Sequence, residues 1–117
     1  MSIRIYHNPR CRKSREGVEL LENAGCEFEI VEYLKDLPTK EELTEIVNQL
    51  GINAVDLIRK NEAAFKENYK GKDLSDDQWI DAMLEYPKLI QRPILVANGN
   101  AELGRPPENF LKLLPKK

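Results

Sequence analysis

Ile3-Arg4-Ile5-Tyr6-His7-Asn8-Pro9-Arg10-Cys11-Arg12-Lys13-Ser14-Arg15 holds an apolar strand, a break and the start of a helix. Ile3 to Tyr6 reads as the strand, and Asn8-Pro9 interrupts it. From Arg12 the apolar positions Val18, Leu21 and Ala24, with Leu20, share one helical stripe, and Gly25 is a natural C-terminal stop. This order puts Cys11 at a helix N-terminus, where unpaired backbone N–H groups and the helix dipole favour negative charge. The thiolate is the working form of a nucleophilic cysteine, and such a position lowers the thiol pKa. Arg10, Arg12, Lys13 and Arg15 are expected to push the same way. Many cysteines are merely small buried hydrophobes, but such a residue belongs among apolar neighbours rather than four cations.

Downstream, Phe28, Ile30 and Leu34, alternating with Glu29, Val31 and Tyr33, predict a second strand with one face partly polar. Thr39-Lys40-Glu41-Glu42 has the form of a capping box, followed by Leu43, Ile46, Val47 and Leu50 at helical spacing before Gly51. A short helix is expected from Asn53 through Leu57 and Ile58, and another over about Glu62 to Tyr69. Ser75-Asp76-Asp77-Gln78 is a second capping box, leading Trp79, Ile80, Met83 and Leu84 into a helix that must stop by Pro87. Ile94 to Ala97 predicts a buried strand, Asn98-Gly99 a hairpin turn, and Ala101 to Leu103 the partner strand. Pro106 and Pro107 suit the first turn of a last helix carrying Phe110, Leu111 and Leu114. A strand-helix-strand start requires a parallel crossover and the hairpin requires an antiparallel pair. The expected fold is therefore α/β, a mixed four-stranded sheet with helices on it. One domain is expected over 1–117, with a helical insert at about 39–87 between the two halves of the sheet.

The chain has 117 residues, 41% of them hydrophobic, enough for one core and not for two. Charged residues make up 32%, mixed in sign, with a net charge of -2, so the basic surplus of a nucleic-acid binder is missing. No apolar run approaches the ~20 residues that span a bilayer, and no signal peptide is visible. Two cysteines do not make a secreted disulfide scaffold. A cytoplasmic location is expected, with no membrane and no nucleic-acid partner. A helix between Cys11 and Cys26 would hold them roughly 20 Å apart, whereas a disulfide needs Cα atoms about 5.5 Å apart. The two are expected to stay unpaired. Ser14 stands where a CxxC motif has its second thiol, so an oxidised Cys11 must be rescued by an outside thiol. With Cys11, Cys26 and His7 too few and too scattered for a zinc site, no metal is expected.

Three arginines sit at element boundaries: Arg59 after Asp56-Leu57-Ile58, Arg92 before Pro93, and Arg105 between Gly104 and Pro106. Boundaries of this kind face the rim of a sheet, where α/β folds gather ligands. The guanidinium fork matches a tetrahedral oxyanion, although many exposed arginines contribute little. His7, the lone histidine, lies four residues before Cys11. It has three readings: it hydrogen-bonds a loop backbone, adds positive potential near the thiolate, or merely ends the strand.

His7-Asn8-Pro9-Arg10-Cys11-Arg12-Lys13-Ser14-Arg15, Leu57-Ile58-Arg59-Lys60-Asn61-Glu62, Gln91-Arg92-Pro93-Ile94 and Gly104-Arg105-Pro106-Pro107-Glu108 together resemble the motifs of the glutaredoxin-linked arsenate reductase family, in the family's order and over nearly the whole chain. The resemblance implies a thioredoxin-like fold with a helical insertion and a cis Arg92–Pro93 bond. It implies Cys11 as the nucleophile that attacks arsenic, with His7 and Ser14 tuning the cysteine and its loop. It assigns the oxyanion to Arg59, Arg92 and Arg105, with Asn8, Arg15 and Pro93 in supporting roles. No bound cofactor is implied; glutathione is the co-substrate, glutaredoxin the partner, and arsenate or a similar small oxyanion the substrate. Where the family's arsenate reductases usually carry glycine and threonine after the cysteine, this chain carries Arg12 and Lys13. Two other readings are a redox-sensing protein that binds RNA polymerase and a thiol oxidoreductase acting on glutathione mixed disulfides. Members of the first kind typically carry a CxxC switch, which Ser14 removes here.

Overall fold

The computed structural model describes residues 3–114. Its contacts divide the chain into two compact units, 1–36 with 92–117, and 37–91.

The first unit is built on strands β1 (Ile3–Tyr6), β2 (Glu29–Val31), β3 (Ile94–Ala97) and β4 (Asn100–Leu103), in the order β2-β1-β3-β4. Helix α1 (Arg12–Asn23) makes the crossover that lets β2 run parallel to β1, while β3 pairs antiparallel with β1 and β4 with β3. This is the mixed sheet that the strand-helix-strand start and the Asn98-Gly99 turn demand. At that turn both residues have positive φ, 54° and 77°, as a two-residue hairpin of this hand requires. Ile5 pairs with Ile30 on one side and Leu95 on the other. Beneath that register Ile3, Ile5, Leu21, Leu95, Ala97 and Phe110 form one buried cluster, so α1 and the chain around Phe110 cover a single face of the sheet. The arrangement is the thioredoxin-like one that the resemblance implies.

Two expectations change here. The second strand ends at Val31, because the carbonyl of Glu32 accepts from the N–H groups of Lys35 and Asp36 and closes a turn. Tyr33 is then buried in place of Leu34, and Ile30 and Leu34 stay exposed. The last helix is 3₁₀ over Pro107–Lys112 rather than α, and Leu111 points to solvent. Pro106 and Pro107 supply no N–H donors, and the bonds that do form, Asn109 N–H to Pro106 and Leu113 N–H to Phe110, span three residues. At that period Pro107, Phe110 and Leu113 share one side.

Two glycines let the cluster close over the sheet edge. A Cβ on Gly104 would lie 2.7 Å from the Phe110 ring and 2.8 Å from Pro93 Cγ. One on Gly17 would lie 2.9 Å from the same ring and 3.0 Å from the same Cγ. Phe110 and Pro93 thus pack into space that any side chain at either position would fill. The Arg92–Pro93 peptide is cis, as the resemblance implies; Arg105–Pro106 is cis as well, which nothing in the sequence reading anticipated.

The second unit contains α2 (Lys40–Leu50), a 3₁₀ turn (Ala54–Leu57), α3 (Ala63–Asn68), α4 (Asp76–Glu85) and a second 3₁₀ turn (Pro87–Leu89). Ser75 and Gln78 close the full reciprocal capping box on α4, and at α2 the Thr39 hydroxyl accepts from the Glu42 N–H. Lys40 ties the first turns together, 3.0 Å from both Asp77 and Asp81. Trp79 is enclosed beside Phe65 and Tyr69, and Tyr69 in turn meets Tyr86 edge-on. Arg59 follows the first 3₁₀ turn, its N–H bonded to the Leu89 carbonyl at 2.7 Å.

Candidate active site

Between β1 and α1 the chain turns within five residues, and local hydrogen bonds hold the turn. The His7 N–H bonds the Val31 carbonyl at 2.8 Å, continuing the β1–β2 ladder one residue beyond Tyr6. Asn8 Oδ1 accepts from the Arg10 N–H at 3.0 Å, the side-chain mimic of a backbone turn. The Asn8 N–H donates to Ser14 Oγ at 3.3 Å, and the Cys11 N–H to the Asn8 carbonyl at 3.0 Å. Arg15 Nη1 donates to the Pro9 carbonyl at 3.0 Å. Asn8, Ser14 and Arg15 therefore brace the loop from three sides, and Ser14 is fully buried in doing so.

Cys11 is the N-cap of α1, with extended backbone and a carbonyl that accepts the first helical bond, from Arg15 at 3.0 Å. Its thiol is partly exposed. Burial on its inner side raises the pKa, but the Ser14 N–H, the Arg92 guanidinium (as donor and as charge) and the Lys13 N–H outweigh it and bring the thiol down to about 7. Arg105 Nη2 stands 3.9 Å from Sγ, and its Nε donates to the Arg92 carbonyl at 2.9 Å. The backbone of one arginine thus aims the fork of the other. Arg92 Nε is buried and has no hydrogen-bond partner. Together these groups make a thiol that is about half ionised at neutral pH, with guanidinium donors beside it and one of them unsatisfied.

The side chains of the cations flanking Cys11 are not the main groups that lower its pKa. Arg12 and Lys13 turn outward onto one carboxylate, Glu16, at 3.4 and 3.7 Å, and Arg15 is used on Pro9. The groups that lower the thiol pKa are two backbone N–H donors and the sequence-distant Arg92. The lone histidine departs from one of its readings too. Burial lowers the His7 pKa more than the Glu32 carboxylate and the Ser14 backbone raise it, with Arg15 adding to the lowering. The net lowering favours the neutral imidazole and so weakens the reading in which His7 adds positive potential to the loop. Its Nδ1 is buried without a partner.

The first unit thus brings together Cys11, His7, Ser14, Arg92, Arg105, Asn8, Arg15 and Pro93. Arg59 belongs to the second unit, where its guanidinium lies 3.4 Å from Glu62. Sequence reasoning passed over Glu16, although a carboxylate three and four residues after two cations is a readable helical pair. It also passed over the Arg92 carbonyl as the seat of Arg105, for which no sequence signal exists. Cys26 is free, its Sγ donating to the Leu21 carbonyl at 3.4 Å. Among the described residues no His, Cys, Asp or Glu cluster is placed to hold a metal ion, and no helix is long and apolar enough to cross a membrane.

The chain is similar to known proteins over nearly its whole length. Protein YfgD of Escherichia coli K12, of unassigned activity, is 45% identical over 114 residues, 96% of each chain. The arsenate reductase of the same organism is 42% identical over 115 residues, 97% of this chain and 82% of that one. The structure of arsenate reductase from Vibrio cholerae has a TM-score of 0.92 at 49% identity, covering 97% of this chain and 98% of that one. Residues 6–113 match the ArsC family, from the first strand's last residue to the final 3₁₀ turn. The chain belongs to the ArsC family.

Proposed function

We propose that the protein reduces arsenate, or a similar tetrahedral oxyanion, through the Cys11 thiolate, with glutathione and glutaredoxin supplying the electrons. The observation that carries this reading is the Cys11 environment: a thiol near pKa 7 with Arg105 Nη2 3.9 Å from its sulfur and an unsatisfied Arg92 Nε. Relatives named arsenate reductase at 42% and 49% identity support the choice of substrate. Arg59 enters on the motif resemblance.

The arginines neutralise the oxyanion and hold it for attack, and the preorganised donors stabilise the charge that grows as oxygen leaves. Cys11 sulfur bonds to arsenic(V) and an oxygen departs as water. Glutathione sulfur displaces a second oxygen in the same way. A glutaredoxin thiolate then attacks the glutathione sulfur. The sulfur–arsenic bond breaks, its electron pair stays on arsenic, and a glutaredoxin–glutathione mixed disulfide forms. Water releases arsenite from the arsenic(III) adduct and returns Cys11 as the thiol. Arsenic gains two electrons and two thiols become one disulfide, so the balance closes without a second cysteine in this chain.

The test is NADPH oxidation coupled through glutathione reductase, glutathione and glutaredoxin. Arsenate-dependent turnover is expected, lost on Cys11→Ser and on omission of either glutathione or glutaredoxin. No arsenate-dependent turnover by the native chain would reject the reading.

A further inference from the structure

The Arg12 and Lys13 side chains are not among the main groups that lower the thiol pKa, and they make none of the hydrogen bonds that brace the loop. Arg12 and Lys13 are the first two residues of α1, with side chains 85% and 49% exposed, and both lean on Glu16. The position is unfavourable for them, since the positive end of a helix dipole repels cations there. α2 and α4 carry acidic pairs in their first turns, Glu41-Glu42 (after Lys40) and Asp76-Asp77, whereas α1 has no acid in its first turn. Arg10, Arg15 and Arg105 are exposed as well. Further along the same helix the sign reverses: Glu16 and Glu19 line, with Glu108, an open groove against the final 3₁₀ turn. The surface of this unit is thus polarised, cationic around the reactive sulfur and acidic one to two turns away. Glu16 is the hinge of that gradient, because one carboxylate partly neutralises two cations.

We infer that Arg12 and Lys13 form an electrostatic collar that selects carboxylate-bearing disulfides for attack by the Cys11 thiolate, and that Glu16 sets how strongly the collar attracts them. The inference rests on Cys11 being a nucleophile and adds the charge class of its sulfur partner. The step concerned is thiol–disulfide exchange. Cys11 thiolate attacks one sulfur of a disulfide, a new S–S bond forms, the old one breaks, and the other half leaves as a thiolate. An anionic partner approaching within the Debye length gains attraction from each cation, whereas a neutral one gains none.

Three aliphatic disulfides differing mainly in charge provide the test: glutathione disulfide (anionic), bis(2-hydroxyethyl) disulfide (neutral) and cystamine (cationic). Rates of Cys11 modification are read by mass spectrometry of the Cys11 peptide, in native protein, Arg12→Gln/Lys13→Gln and Glu16→Gln. The native protein should prefer the anionic over the neutral disulfide, and the cationic one should be slowest. Neutralising both cations should lower the anionic-to-neutral rate ratio about four-fold at low salt, from pairwise attractions of roughly two-fold each at ~8 Å, partly screened. Glu16→Gln should raise the ratio, and added salt should shrink every difference. A ratio unchanged in both variants overturns the collar while leaving the oxyanion reading intact. A Cys11 that reacts with none of the three also overturns the collar, and arsenate turnover then decides the oxyanion reading on its own.

Discussion

Replacing Arg92 by glutamine tests whether a sequence-distant guanidinium, rather than the cations beside Cys11, keeps its sulfur ionised. Glutamine keeps a hydrogen-bond donor and removes the charge. The Cys11 thiol stands at about 7, well below a free thiol; burial opposes the lowering, and Arg92 acts on it both as donor and as charge, beside the N–H groups of Ser14 and Lys13. Loss of the charge should therefore raise the midpoint by roughly one pH unit, within the range for one neighbouring opposite charge. The sign is that of a group that ionises to an anion: the native thiolate persists down to about pH 7, and the variant loses it sooner as pH falls. Iodoacetamide alkylation across pH 5.5–10, with the Cys11 peptide followed by mass, measures this. Intrinsic nucleophilicity rises with thiol pKa, so a one-unit increase makes the variant thiolate about three-fold more reactive once ionised. The variant should then react about three-fold more slowly at pH 6 and about three-fold faster at pH 9.5, the curves crossing near pH ~7.6. A native midpoint at or above the ordinary ~8.5 of a free thiol refutes the reasoning. So does a midpoint that moves with Arg12→Gln/Lys13→Gln and stays put with Arg92→Gln.

Two stability predictions follow from packing and capping. Gly104→Ala puts a methyl 2.7 Å from the fully buried Phe110 ring and 2.8 Å from Pro93, and overpacking of this kind should cost about 1–3 kcal/mol in urea unfolding at unchanged m-value. Ser75→Ala removes the acceptor of the Gln78 N–H and the full capping box of α4, for a loss of about 1 kcal/mol, while Ser75→Asn should recover most of it.

The elements that could be read from the sequence are those with strong local signals. β1 and β3 have their apolar runs, α1 its stripe ending at Gly25, α4 its Ser75 box and Pro87 stop, and the hairpin its Asn98-Gly99. The misreadings come where tertiary context overrides the local pattern. Alternation from Phe28 to Leu34 looked like a long strand, but β2 lies at the sheet edge with β1 its one neighbour, and a turn at Glu32 cut it short. The final segment had a helical composition, yet consecutive prolines removed donors and the 3₁₀ period took over. At the site, Cys11 is legible from its place at the break between strand and helix, whereas Asn8 and Ser14 entered through the motif resemblance. The coupling of Arg105 Nε to the Arg92 carbonyl joins residues thirteen apart, and no periodicity encodes it.

The same contrast divides the work of the charges around Cys11. Basicity near a cysteine in sequence is commonly read as a lowered thiol pKa, and here that inference fails for a geometric reason. Side chains at the first two positions of a helix project from its flank, and Arg12 and Lys13 meet Glu16 there. The sulfur, as the cap residue, looks instead along the helix at the N–H groups of Lys13 and Ser14. Backbone donors at a helix start face the cap whatever side chains they carry, so the thiol's ionisation is largely insulated from substitutions at positions 12 and 13. Those positions are then free to vary the charge presented to an incoming partner without detuning the nucleophile. Ionisation is set by the backbone and by Arg92, and the approach of the partner by the outer cations, so the two properties can be changed separately.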